Sequence, residues 1–201
     1  MRLHELLIAR DLGEIELDAS MILDAVGKGH TSEPHIDLTC DFTDVSFAQN
    51  PLLDVNLVGI FTKEMISFEG FGFDETCRIH GTVRMEESNP YEIFVKGRSV
   101  DATLILPIIN PLLRNRFGGV ADGRIEMTGK LVDPLTVRMK MDLTKFGVSS
   151  DTGGLVSPDD EVVKIRYEGD VWYIDSFILA SPQNWDPIIS IMDSSVSPRH
   201  M

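Results

Sequence analysis

Leu135-Thr136-Val137-Arg138-Met139-Lys140-Met141-Asp142-Leu143 is the stretch on which the fold turns. Its odd positions are all apolar and its even positions all polar. Successive side chains of a β-strand point to opposite faces, so this nonapeptide reads as a strand with one buried and one wet side. Wound as a helix, the same five apolar residues would be scattered around the whole circumference.

The pattern repeats on either side. Ile15, Leu17, Ala19 and Met21 alternate with Glu14, Glu16, Asp18 and Ser20. Ile36, Leu38, Cys40 and Phe42 alternate with Asp37, Thr39 and Asp41. Leu53, Val55 and Leu57 are interleaved with Asp54 and Asn56, and Ile79, Gly81, Val83 and Met85 with His80, Thr82 and Arg84. Ile125, Met127 and Leu131 share a side opposite Arg124, Glu126, Thr128 and Lys130. Val163, Ile165 and Tyr167 are separated by Lys164 and Arg166. A last strand, Val171 to Leu179, is too apolar for its faces to be assigned. Turn-forming pairs separate the runs, among them Asn50-Pro51, Asn89-Pro90, Asp122-Gly123, Asp133-Pro134 and Gly169-Asp170. The expectation is an all-β chain: an antiparallel, meandering sheet, closed as a sandwich or open as a groove. One segment without alternation, Asp101 to Arg114, carries Pro107 and Pro111 and reads as a short helix near 101–114, capped by Asp101.

Composition narrows the function classes. The chain has 201 residues, 43% of them hydrophobic, with 18 Lys+Arg against 32 Asp+Glu and a net charge of −14. Such a surface repels phosphate backbones, so no nucleic acid is expected as a partner. The acids are spread through the strands, which fits a solvated outer face. Cys40 and Cys77 have no CxxC spacing and read as two small buried apolar residues. The opening Met1-Arg2-Leu3-His4-Glu5 is not a signal-peptide pattern. The longest uncharged run, Ala102 to Leu113, is too short to span a bilayer. The tail from Ser194 reads as weakly structured, and the chain as a segment of a longer protein.

No catalytic constellation emerges. Asp151-Thr152-Gly153 copies an aspartic-protease tripeptide once, without its twin. His4, His30, His35, His80 and His200 are scattered, with no metal-ligand spacing. Asp159, Asp160 and Glu161 read as a charged loop. No phosphate-binding glycine loop and no nucleophile elbow occur. Trp172 reads as core. The expectation is a non-enzyme without metal or cofactor.

The order of signals over residues 100–180 carries a resemblance. A short apolar stretch leads into Gly119-Val-Ala-Asp-Gly123-Arg-Ile-Glu-Met-Thr-Gly129-Lys-Leu-Val-Asp133-Pro134. The alternating strand to Leu143 follows, then Val162 to Tyr167, the turn Glu168-Gly169-Asp170, and Trp172 to Leu179. This resembles the repeat of the TamB and AsmA-like envelope proteins; the likeness is looser over 1–99 and stops at 181. It divides the chain into a β-strand array (1–99), a short helix plus repeat (100–180) and a tail (181–201). It implies a long taco-like sheet with an apolar groove, working in the periplasm or cell envelope. There it would bind lipid acyl chains for phospholipid transport or outer-membrane assembly, with outer-membrane assembly proteins as further partners. It also implies an N-terminal anchor and a C-terminal module outside this segment. Carried over residue by residue, the groove lining is Ile125, Met127, Leu131, Leu135, Val137, Met139, Met141, Leu143, Val163, Ile165 and Tyr167. The residues alone leave a rival open: a β-sandwich interaction domain with a dry core and a protein partner. Flexible Met side chains on the inner face suit a changing apolar ligand, and each buried methylene contributes about 0.8 kcal/mol.

Overall fold

A computed structural model describes residues 17–28, 30, 32–47, 50–51, 54–72, 75–101, 118–150, 153–159, 161–169, 171–181 and 187–196. Among them there is no helix. The strands are β1 (Leu17–Lys28), β2 (His35–Phe47), β3 (Asn50–Pro51), β4 (Val55–Thr62), β5 (Met65–Gly72), β6 (Cys77–Arg84) and β7 (Pro90–Asp101). They continue with β8 (Gly118–Lys130), β9 (Asp133–Ser150), β10 (Gly153–Val156), β11 (Val163–Glu168), β12 (Val171–Ala180) and β13 (Pro187–Val196). They follow one another as an antiparallel meander, β1-β2-β4-β5-β6-β7-β8-β9, with the short β3 beside β2.

After β9 the path changes. β10 and β11 both lie antiparallel between β9 and β12. Both occupy the same strand line, β10 beside the later part of β9 and β11 beside its middle. Ser157 still pairs with Phe146: its amide donates to the Phe146 carbonyl (2.7 Å) and its hydroxyl accepts from the Phe146 amide (2.9 Å). The chain then loops away and rejoins at Val163. β13 pairs with β12 and forms the far edge.

The expected short helix near 101–114 falls on residues outside the described set, except Asp101, which ends β7. The turn expected at Asp133-Pro134 lies two residues earlier, at Leu131-Val132, and Asp133 opens β9. The segment expected as a weakly structured tail supplies β13. Its Ile191 and Met192 stand opposite Phe177 and Ser176, and the pairing to β12 continues to Val196.

The chain divides into two compact units whose boundaries cut through strands: residues 1–95 with 127–137, and residues 96–126 with 138–201. The expected boundary near 99 is thus replaced by an interleaved one, because β8 and β9 form a long hairpin whose tip belongs to the first unit and whose base belongs to the second. The units differ in burial. Ten apolar side chains are described as buried, and nine of them are in the second unit; the first has Cys77 alone.

Glycines allow close strand approach in the first unit. A β-carbon at Gly70 would collide with the Asn56 carbonyl and the Leu57 backbone of the neighbouring strand. Gly81 leaves room for the ring of Phe68. Gly27, by contrast, faces open space. Overpacking of this kind costs about 1–3 kcal/mol. We therefore expect Gly70→Ala to destabilise the protein by about 2 kcal/mol in urea titration, and Gly27→Ala to stay within about 0.5 kcal/mol of the parent. Equal behaviour of the two would refute the close approach.

Candidate functional site

Residues directly opposite each other in neighbouring strands share a face, and the registers of the first unit sort its side chains cleanly. One face receives Met21, Leu23 and Ala25 from β1 and Ile36, Leu38, Cys40 and Phe42 from β2. To these β4 adds Val55, Leu57 and Phe61, β5 adds Ile66 and Phe68, and β6 adds Cys77, Ile79 and Val83, with Gly59, Gly70, Gly72 and Gly81 between them. Among the described residues paired from Ser20 to Arg84, none on this face is charged. The other face carries Asp24, Lys28, His35, Asp37, Asp41, Glu69, Arg78, His80 and Arg84.

β7 continues both faces. His80 stacks on Phe94, with ring centroids 4.9 Å apart, so Phe94 is on the polar side and Tyr91, Ile93 and Val95 are on the apolar one. Tyr91 lies where a β-carbon of Gly129 would be, which aligns Gly129 and Met127 with the same side.

The apolar face is neither wet nor closed. Most of its side chains are half-buried against their neighbours, and Leu23 on the edge strand is 53% exposed. Within the first unit, no second layer of described residues covers it. Burial pushes the thiols of Cys77 and Cys40 and the phenol of Tyr91 up from their usual ionisation ranges, as an apolar setting requires. Both cysteines are free.

The polar face holds a shallow depression of about 590 Å³ over Asp37, Val58, Ile60, Glu69, His80 and Phe94. His80 is exposed there, as its outward position in the alternation predicts. Asp37 accepts a 2.7 Å hydrogen bond from Lys28, which holds its carboxyl below the ordinary range.

The second unit is built differently. Ala121, Met141, Leu143, Phe146, Val163, Ile165 and Leu179 form a closed cluster, with Ile125, Leu155, Trp172 and Phe177 packed against it. Met141 and Val163 are each 1% exposed. Phe146 and Phe177 meet at 6.0 Å, and Tyr167 and Trp172 at 5.0 Å.

The eleven lining residues carried over from the family repeat are therefore dispersed. Val163, Ile165, Met141 and Leu143 are filled core, with Val163 opposite Leu143 and Ile165 opposite Met141. Ile125 packs against that core. Met127, Val137, Met139 and Tyr167 are half-buried, with Tyr167 opposite Met139. Leu131 and Leu135 are open to water, at 59% and 64% exposed: Leu131 is in the hairpin turn and Leu135 is two residues into β9, beside that turn. The carry-over missed Phe146. Thr144 and Lys145 are both exposed, so the alternation slips by one residue and returns Phe146 to the side of Leu143. It also missed the lining of the first unit, although the same alternation marks those positions.

Chemistry-bearing groups are sparse. Among the described residues no three His, Cys, Asp or Glu side chains are placed to hold a metal ion. No described helix is long and apolar enough to cross a membrane. Asp151, Thr152 and Asp160, read above as loop residues, lie outside the described set. No protein-family model, curated protein or solved structure matches the chain.

The outer side of the second unit is tied by ion pairs. Arg166 donates two hydrogen bonds to Asp175, of 2.6 and 2.8 Å, and lies over the Tyr173 ring. Arg124 donates two to the buried Asp142, and Arg138 meets Glu168 at 2.9 Å. The Arg166 hydrogen bond is the main reason the Asp175 carboxyl sits below its ordinary value of 3.8. A depressed carboxyl pKa stabilises the fold above the unfolded value and loses that contribution as pH falls through the folded one. Asp175→Asn should thus lower stability at pH 7, and the difference from the parent should shrink below about pH 4. Denaturant titration at both pH values checks this; a difference that does not change with pH would refute the assignment.

Proposed function

We propose that the uncovered apolar face of the first unit holds the hydrocarbon chains of lipids, and that the protein binds and moves lipid in the cell envelope without catalysing a reaction. The observation that carries this reading is a continuous, uncharged face with no described layer over it. A sheet with one apolar side must place that side against something. In the second unit the partner is its own cluster around Met141 and Phe146. In the first, acyl chains supply what the described residues do not. Large uncovered apolar areas on soluble proteins mark binding surfaces. A chain lying over Leu57, Ile66 and Ile79 needs no polar anchor, and the glycines among them let it come close to the backbone.

The resemblance of residues 100–180 to the TamB and AsmA-like repeat points the same way. From it come the periplasm or envelope as the place of work and the transport of phospholipid or the assembly of outer-membrane proteins as the task. The rival, an interaction domain with a dry core and a protein partner, has one observation in its favour: the closed cluster of the second unit.

The two readings separate by substitution. Leu57→Asp should remove co-purifying lipid, measured by mass spectrometry of an organic extract, and leave the β circular-dichroism signal intact. Met141→Asp should unfold the second unit, because a carboxylate buried there finds no partner. A parent protein that yields no lipid, or a Leu57→Asp protein that unfolds like Met141→Asp, favours the dry-core domain.

A further inference from the structure

Three hairpin turns of the first unit are joined into one rim. The Met85 amide donates to the Glu64 carbonyl (2.7 Å), linking the β4–β5 turn to the β6–β7 turn. The Leu131 amide donates to the Asn89 carbonyl (3.1 Å), linking the latter to the β8–β9 turn. Hairpin tips are ordinarily polar. Here the rim exposes Met65, Met85, Leu131, Val132 and Leu135; Val132 is 62% exposed and Met65, the least, 38%. Between Met65 and Met85 lies a notch of about 550 Å³, which Lys63 and Arg84 also line. The strands that end at this rim bring the uncharged lining to its edge, at Phe61, Ile66 and Val83.

We infer that this rim contacts the surface of a lipid bilayer and is where lipid enters the lining; the entry role rests on the lipid-binding reading above, whereas the bilayer contact does not. The chemistry favours a lipid surface over a flat protein partner. Charged residues flank the apolar ones along the chain, with Glu64 before Met65, Arg84 and Glu86 around Met85, and Lys130 and Asp133 around Leu131-Val132, so the apolar side chains reach the hydrocarbon boundary while their neighbours stay among headgroups. Lys63, Arg84 and Lys130 are exposed at the rim, and their long stems can reach from apolar surface to hold the charge in the headgroup layer. The rim also carries Glu64, Glu86, Glu87 and Asp133, so its charge is mixed and a zwitterionic surface suits it better than an anionic one.

The test uses the whole chain and two probes: phosphatidylcholine vesicles, and diheptanoyl phosphatidylcholine kept below its micelle concentration. The variant is the double substitution Leu131→Asp with Val132→Asp, at positions already open to water, so thermal unfolding should match the parent. The parent should float with vesicles, and the variant should lose about tenfold in partition while still binding the short-chain lipid. Equal flotation of the two proteins overturns the inference. So does a parent that does not float, or a variant that loses only self-association, which would mark the rim as a contact between copies. A parent that floats through this rim but takes up no short-chain lipid defeats the lining reading and leaves the bilayer contact standing.

Discussion

Register is the constraint on which this molecule depends. In an antiparallel pair a slip of one residue would turn every side chain to the opposite face. From β1 to β6 each pairing sets apolar against apolar: Leu23 faces Cys40, Cys40 faces Leu57, Leu57 faces Gly70 and Gly70 faces Ile79. A slip anywhere along that row would carry Asp24, Asp41, Glu69 or His80 onto the apolar side. The energetic penalty of such a move holds the register, and the register in turn keeps the lining free of charge.

The two units meet the same requirement in different ways. In the second, the alternation is deliberately broken. The slip at Thr144-Lys145 and the register shift in β12 near Asp175 bring Phe146, Phe177 and Leu179 to the side already held by Met141 and Ile165. The extra bulk fills the space, and Arg166 fixes the irregularity from outside through Asp175. In the first unit the alternation runs without such slips through β4, β5 and β6, and small residues stand where bulk would close the face. Regular alternation leaves the face open; irregular alternation closes it.

Strand identity, the meander and the facing of Val163, Ile165 and Tyr167 toward the β9 side chains were legible from period-two alternation. The tail from Ser194 reads as loop because Ser194-Ser195-Val196-Ser197-Pro198 carries no strand pattern, although pairing to β12 holds Ser194 to Val196 extended. Leu131 was misread because it fits the alternation of β8 in sequence while the chain has already begun to turn. The facing of β12 is hidden because Val171 to Leu179 is apolar throughout, and Phe146 is hidden because a slip changes parity and no residue type announces it. Least legible was the difference between a filled and an uncovered face. Met141 and Leu57 look alike in sequence; what sets them apart is whether a layer of side chains stands over them, which pairing alone does not encode.

Cys40 and Cys77 lie on the same apolar face but differ in cover: the first is half-buried, the second 4% exposed. Timed labelling of the lipid-stripped protein with an alkyl maleimide, read by mass spectrometry of peptides, reports directly on whether that face is open. Cys40 should be modified well before Cys77, and added phospholipid should slow Cys40 selectively. Equal protection of both thiols in the stripped protein, with no effect of lipid, would contradict an open face.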